Sequence, residues 1–275
     1  MSGFSRDARP ARARRCAALL GAAIAFLLLA PAAGAAPAAG FAPPPSELTP
    51  ATGDTLDAGT YLVSQSGRTA RGERFSLTRL GDSLTVLVWS YYSRTGATTG
   101  DPDKRIQMLL SASDFSLHRY ASEQVTPRDT LRRGIVIVGF DTAMTVYREQ
   151  HGHGVGDKIA MPPGRFYVLD GPVFTPFNVI GRSFAGKSLD RREVSVLVLG
   201  RRDTVVTVTV VDRGRGSLRW NGRATTTRKL EISDRTAHYT GWYTLDGRML
   251  RLERPEVGLV VQRAAPPRRP PAGRP

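Results

Sequence analysis

The chain has 275 residues, 41% of them hydrophobic, a formal net charge of +15 and a single cysteine. One cysteine excludes an intramolecular disulfide framework. Lysine occurs only at positions 104, 158, 187 and 229, so arginine supplies nearly all of the positive charge. These arginines are scattered in the body of the chain, which favours a solvated surface. We expect no nucleic-acid partner. A polyanion-binding or adhesion module, with an anionic envelope polymer as its partner, stays open as an alternative function.

The N-terminus has the pattern of an export signal. Five arginines between Arg6 and Arg15 precede an apolar segment over 16–29, and small residues end at Ala35. This order is typical of a secretory signal peptide. We therefore predict a signal peptide over 1–35 and a periplasmic or secreted protein that keeps no transmembrane anchor after cleavage. Cys16 precedes the apolar segment, so we expect no lipoprotein anchor.

Composition divides the remaining chain into three ranges. Residues 36–58 are rich in Ala, Pro, Thr and Gly, and residues 264–275 are mostly Pro and Arg. Both compositions favour disorder. The range 59–263 is long enough for one large domain, and no second linker is visible within it.

The range from residue 60 onward has the pattern of an all-β protein. Short apolar runs with period-two character are interrupted every eight to twelve residues by Gly, Asp, Asn or Pro. The predicted strands lie at 61–63, 75–77, 84–92, 106–110, 115–120, 135–140, 144–147, 194–199, 205–211, 218–220, 224–232, 238–245, 249–252 and 259–261.

Turn and helix signals complete the fold prediction. Asn221-Gly222 and Asp246-Gly247 predict two-residue hairpins, because both positions of a type I′ turn need positive φ. The segment 172–184 lacks alternation and allows one short helix or an irregular crossing loop. We predict an all-β fold, a strongly curved antiparallel meander that forms a half-barrel or barrel with at most one or two short helices.

Aromatic residues indicate a candidate binding site. Trp89, Tyr91 and Trp242 fall in predicted strands, and Phe174 and Phe177 lie in the irregular segment. They can serve as core packing, or they can line an apolar cavity of an incompletely filled sheet, roofed by residues 166–184. The leading hypothesis is the cavity, holding a lipid or another apolar or amphipathic ligand in a non-enzymatic binding protein.

A histidine pair supports an alternative hypothesis. If the segment is extended, Glu149, His151 and His153 lie on one face, with Asp157 nearby as a further ligand. The spacing resembles the metal-binding motifs of cupins, although Tyr167 stands where the last histidine of those motifs lies. The alternative is therefore a metal-dependent envelope enzyme that uses His151 and His153.

The segment from Gly181 to Ser188 matches the phosphate-loop pattern G-x-x-x-x-G-K-[ST]. That motif works at the N-terminus of a helix. Only residues 189–192 separate it from the next predicted strand, so we expect a surface loop. We expect no cofactor, and a non-enzymatic role over an enzymatic one.

A wider pattern resembles a known class of proteins. It comprises the export signal, Gly59 and Tyr61 in G-x-Y-x-V, Phe75 and Leu77 in F-x-L, and strands at 249–252 and 259–263. It is similar to uncharacterised exported bacterial envelope proteins whose folds resemble the lipoprotein-carrier (LolA/LolB-like) class. The resemblance implies a strongly curved antiparallel sheet around an apolar cavity, and it carries over no functional residue.

Overall fold

Fifteen β-strands and one α-helix form the part of the chain that the structure describes. The computed structural model describes residues 48, 52–92, 103–125, 131–138, 143–150, 153–187, 190–200 and 202–265. The predicted signal peptide at 1–35 and most of the ranges 36–58 and 264–275 lie outside these residues. The elements are β1 Asp54–Gln65, β2 Arg68–Leu80, β3 Ser83–Tyr92, β4 Lys104–Ser111, β5 Leu117–Val125, β6 Leu131–Val138, β7 Ala143–Gln150, β8 His153–Ala160, β9 Phe166–Asp170, α1 Thr175–Ser183, β10 Arg191–Leu199, β11 Thr204–Trp220, β12 Arg223–Ser233, β13 His238–Tyr243, β14 Met249–Arg254, a 3-10 turn at Pro255–Val257, and β15 Leu259–Arg263.

All fifteen strands belong to one sheet with a meander order. The order is β8-β7-β6-β5-β4-β3-β2-β1-β15-β14-β13-β12-β11-β10-β9, and β1 pairs with β15. Every neighbouring pair is antiparallel except β9 and β10, which run parallel because α1 connects them as a crossover. The predicted all-β antiparallel meander is confirmed.

The two predicted hairpin turns differ in outcome. Asn221 and Gly222 have φ of 51° and 75° between paired Trp220 and Arg223, so the two-residue turn is confirmed. At Asp246-Gly247 the antiparallel hairpin is confirmed, since β13 pairs with β14, but the predicted two-residue turn is wrong, because the five residues 244–248 join the two strands. The wider turn fits around the backbone of α1, where a Cβ added to Gly247 would lie 2.6 Å from the Cα of Arg182.

The sheet curves into a nearly closed barrel. Strand β9 contacts β5, and the line along which they meet is the seam of the barrel. The twelve strands from β5 to β9 in the sheet order enclose the interior, and β6 to β8 continue past the seam. Within the described residues β9 has a backbone ladder only with β10. Side chains close the seam, since Lys104 Nζ and the Tyr120 hydroxyl both donate hydrogen bonds to the buried carboxylate of Asp170.

Helix α1 occupies the interior of the barrel. Every residue of α1 except Arg182 is buried. On one side Pro176 and Val179 lie beside apolar residues of β4 and β5, and on the other the ring of Phe177 lies 4.8 Å from that of Tyr239. A helix buried all round belongs to a core. A barrel of twelve strands is too wide for its own side chains to fill, so α1 supplies the missing volume.

The first turn of α1 is capped by a residue from a distant strand. Glu73 of β2 is fully buried and accepts hydrogen bonds from the N–H groups of Phe174, at 2.8 Å, and Thr175, at 2.6 Å, and from the Thr175 hydroxyl. These donors have no partner within the helix, and the carboxylate also faces the positive end of the helix dipole. No local side chain caps α1, which explains why the helix was ambiguous from sequence.

Two segments are more regular than expected. Strand β1 begins at Asp54, inside the range 36–58, for which we expected disorder. The start of the strand is ordered because buried Asp57 forms ion pairs with Arg182 at 2.8 Å and Arg263 at 2.7 Å. Strand β8 begins at His153, although glycines stand on both sides of this residue in the sequence. It is extended because it pairs along its whole length with β7.

Candidate functional site

Strand β3 carries two candidate ligand-binding residues on the outer face of the barrel. Val88 is part of the interior core, so the alternating side chains of Trp89 and Tyr91 point to the opposite face. Trp89 packs with Leu87 in a small outer cluster, and the Arg74 guanidinium lies 4.9 Å from its ring and 6.0 Å from that of Tyr91. In contrast to the expectation, Trp89 and Tyr91 do not line an interior cavity.

Trp242 also lies on the outer face. Its neighbour Tyr243 is fully buried in the interior core, and side chains alternate along β13. Lys229 and Arg251 are its partners on the two adjacent strands. The structure therefore separates Trp242 from the aromatic residues of α1.

Phe174 and Phe177 lie inside the barrel, where they fill space. Their ring centroids are 6.4 Å apart, and both belong to the main core. Two voids beside α1 have volumes of about 20 and 10 Å³, which leaves room for about one water molecule each. The segment expected to roof a cavity instead enters the barrel and occupies its interior.

The proposed metal ligands are not brought together. His153 and Asp157 are both exposed on β8, four residues apart in an extended strand, so their Cα atoms are roughly 13 Å apart. That separation is too large for both side chains to reach one ion. His151 lies outside the described residues, and in the described part of the chain no three His, Cys, Asp or Glu side chains are grouped to hold a metal.

The phosphate-loop pattern also has the wrong structural context. Gly181 to Ser183 are the last residues of α1, residues 184–187 form the turn after it, and Ser188 is outside the described residues. A phosphate loop leads into a helix and offers its N-terminal amides, whereas this segment follows a helix. Only its end, at Gly186 and Lys187, is exposed as expected of a surface loop.

A pocket of about 590 Å³ opens at one mouth of the barrel. We call it the mouth pocket. It lies between the β8–β9 loop, the turn after α1 and the beginnings of β9 and β10, and its volume is in the range of small-molecule sites. The residues lining it are Pro163, Gly164, Arg165, Tyr167, Phe184, Lys187, Arg192, Glu193, Val194, Ser195 and Thr207.

The mouth pocket has an apolar floor. Tyr167, Phe184 and Val194 are each less than 10% exposed and belong to the main core. The Tyr167 hydroxyl and the Ser183 hydroxyl are 2.6 Å apart, which ties β9 to the end of α1, and burial raises the pKa of Tyr167. Tyr167 is thus neutral at physiological pH and contributes an aromatic face to the floor.

The rim of the mouth pocket is positively charged. Arg165, Lys187 and Arg192 are exposed there with a single acidic residue, Glu193. Arg165 lies 3.4 Å from Asp114, and Lys187 Nζ donates to a backbone carbonyl oxygen at the end of α1. In the described structure Arg192 forms no ion pair, so the rim retains uncompensated positive charge.

The turn that forms one wall of the mouth pocket is held by Arg228 of β12. Its guanidinium donates hydrogen bonds of 2.7 Å to the carbonyl oxygens of Phe184 and Lys187 and to the carboxylate of Asp212. Two of these charge-assisted bonds hold the turn, and the third ties Arg228 to Asp212 of β11. The pocket wall is therefore preorganised by the sheet.

Sequence reasoning missed this site. In the sequence, Tyr167 was noted only as the residue in place of a cupin histidine, Phe184 only as the end of the segment expected to roof a cavity, and Lys187 only as part of the phosphate-loop pattern. Arg165 and Arg192 had no signal, because an isolated arginine in an arginine-rich chain carries little information. Their convergence depends on the parallel pairing of β9 with β10 across α1.

Comparison with known proteins adds a structural similarity. No family model matches the chain, and no curated protein matches it. A solved structure, a β-barrel-like protein of the domain of unknown function DUF1849 from Brucella abortus, has 11% identity and a TM-score of 0.45. The match covers 75% of this chain and 93% of that chain. No helix in the described residues is long and apolar enough to cross a membrane. We therefore infer function from the mouth pocket itself.

Proposed function

We propose that this protein is an exported, non-enzymatic binding protein whose mouth pocket holds an amphipathic ligand with a negatively charged group. The observation that carries the proposal is one pocket of about 590 Å³ with a buried aromatic floor and three cations on its rim. The floor of Tyr167, Phe184 and Val194 suits an apolar group. The rim of Arg165, Lys187 and Arg192 suits an anionic head group.

The proposal moves the ligand from the interior to the mouth. The lipoprotein-carrier class holds its ligand in an apolar cavity enclosed by the sheet, whereas here α1 fills that space. An acyl or aromatic group can cover the apolar floor and leave its charged end among the rim cations. Amphipathic ligands of the bacterial envelope have this chemistry, and the N-terminal export pattern supports that location.

Fluorescence titration with the anionic aromatic dye anilinonaphthalene sulfonate tests the proposal. The variant Val194→Phe enlarges a side chain of the floor itself, and we expect it to abolish dye binding. The double variant Arg165→Gln/Arg192→Gln removes two rim charges, each worth up to about 1 kcal/mol, so we expect about tenfold weaker binding.

Arg68→Gln/Arg79→Gln is the matched control, because both arginines are exposed and lie on β2, away from the pocket lining. We expect it to bind the dye like the wild type. Circular dichroism and unfolding curves establish that all variants are folded. Unchanged dye affinity in folded Val194→Phe and in the rim variant would overturn the proposal.

A further inference from the structure

The hairpin of β11 and β12 extends beyond the barrel wall. The pairing of β11 with β10 ends at Val211, and the pairing of β12 with β13 starts at Arg228. Residues 213–226 therefore form a two-stranded ribbon whose outer edges are unpaired in the described sheet. We call this ribbon the hairpin arm.

The hairpin arm is fixed at both ends. At its base a bulge lies between Asp212 and Arg215, and Asp212 is bonded to Arg228. Near its tip the Trp220 indole N–H donates a 3.0 Å hydrogen bond to the carbonyl oxygen of Arg263 on β15. The arm is therefore held in one position against the barrel.

The charge on the hairpin arm has one sign. Residues 213–226 contain four arginines and no acidic residue. Arg213 pairs with Glu231 at 2.8 Å. Arg215, Arg219 and Arg223 are exposed and form no ion pair within the described residues. Arg215 and Arg219 lie on the same face, roughly 13 Å apart along the strand. Arg223 is paired with Trp220 and therefore lies on the opposite face.

We propose that the hairpin arm binds a linear anionic polymer through Arg215 and Arg219. Two uncompensated guanidinium groups in line on one face of a fixed ribbon create a local positive field that attracts repeated carboxylate, sulfate or phosphate groups. Arginine is suited to these groups because its planar fork donates two parallel hydrogen bonds.

The composition of the hairpin arm favours a polymer over a lipid bilayer. A bilayer-binding segment needs exposed apolar anchors. Here Leu218 and Trp220 are half-buried, and the indole N–H of Trp220 is bonded to the barrel. The other uncharged residues of the arm are Gly, Ser, Asn, Ala and Thr.

Heparin, a sulfated polysaccharide, is the probe that tests the proposal with the full folded chain. Affinity is measured as a function of salt for the wild type and for Arg215→Gln/Arg219→Gln. Counterion release predicts that each lost contact lowers the slope of log K against log salt by about 1. We expect the arm variant to lower it by about 2, with about tenfold weaker binding at low salt.

Arg68→Gln/Arg79→Gln is the control, because it removes the same charge from exposed positions outside the arm. We expect it to keep most of the affinity. Equal loss in both double variants would show an effect of net charge and would overturn the proposal. Stronger arm-dependent binding to phosphatidylglycerol vesicles than to heparin would overturn it as well. The dye titration of the mouth pocket is independent of either result.

Discussion

The substitution Gly181→Ala tests whether α1 is seated inside the barrel. A Cβ built on Gly181 lies under 3.0 Å from two ring atoms of Tyr243 and 2.9 Å from the carbonyl oxygen of Gly247. The ring of Tyr243 is fully buried and also lies against Gly241, where an added Cβ would be 2.5 Å from the ring. The ring is confined between two glycines and has little room to move.

The magnitude follows from two opposing effects. Glycine to alanine in a helix interior stabilises by about 1 kcal/mol when the methyl group has space. Overpacking a buried site costs about 1–3 kcal/mol, and the contact here involves both a ring and a backbone carbonyl, so we take about 3 kcal/mol. We therefore expect Gly181→Ala to lower the free energy of unfolding by about 2 kcal/mol.

Guanidinium unfolding followed by tryptophan fluorescence measures this change. The control is Gly216→Ala, whose added Cβ would be 3.9 Å from its nearest neighbour, the Thr227 hydroxyl, and we expect a change below about 0.5 kcal/mol. In the background Tyr243→Leu the cost of Gly181→Ala should largely disappear. A Gly181→Ala protein as stable as the wild type would refute the packing of α1 against Tyr243.

Two further predictions concern buried charges. Asp170→Ala leaves the Lys104 ammonium buried at the seam without its carboxylate partner, so we expect the free energy of unfolding to fall by about 3–5 kcal/mol. Denaturant unfolding measures this change, and a decrease below about 1 kcal/mol would contradict the closure of the barrel by side chains. Burial raises the pKa of Glu73 above its usual 4.5, so the folded chain binds this proton more tightly than the unfolded chain. The contribution of Glu73 to stability is then largest below pH 4.5 and declines as the pH rises through the folded-state value. We therefore expect the free energy of unfolding of the wild type, minus that of Glu73→Gln, to be largest at acid pH and to shrink toward neutral pH. Denaturant unfolding of both proteins across this range measures the difference, and a difference independent of pH would contradict the coupling.

The candidate site shows why residue type and the alternation of side chains along a strand did not suffice to predict which residues line a pocket. Alternation in β3 and β13 indicated two faces for each strand, but the choice of interior face depends on the direction in which the whole sheet curves. Trp89 and Trp242 lie on the outer face for this reason, while Phe177 lies inside. The rim of the mouth pocket joins Arg165 of the β8–β9 loop to Arg192 of β10, and their approach depends on the parallel pairing of β9 and β10.

Local sequence by itself determined the all-β class, most strand positions and the Asn221-Gly222 turn, because side-chain alternation and positive φ are properties of neighbouring residues. Only the tertiary structure decided that α1 enters the barrel, since its cap is Glu73, 101 positions before Phe174. It also decided how the barrel closes, through a carboxylate on β9 that meets Lys104 and Tyr120 across the seam. Contacts between residues so far apart in the chain arise from the curvature of the complete sheet, which no local pattern records.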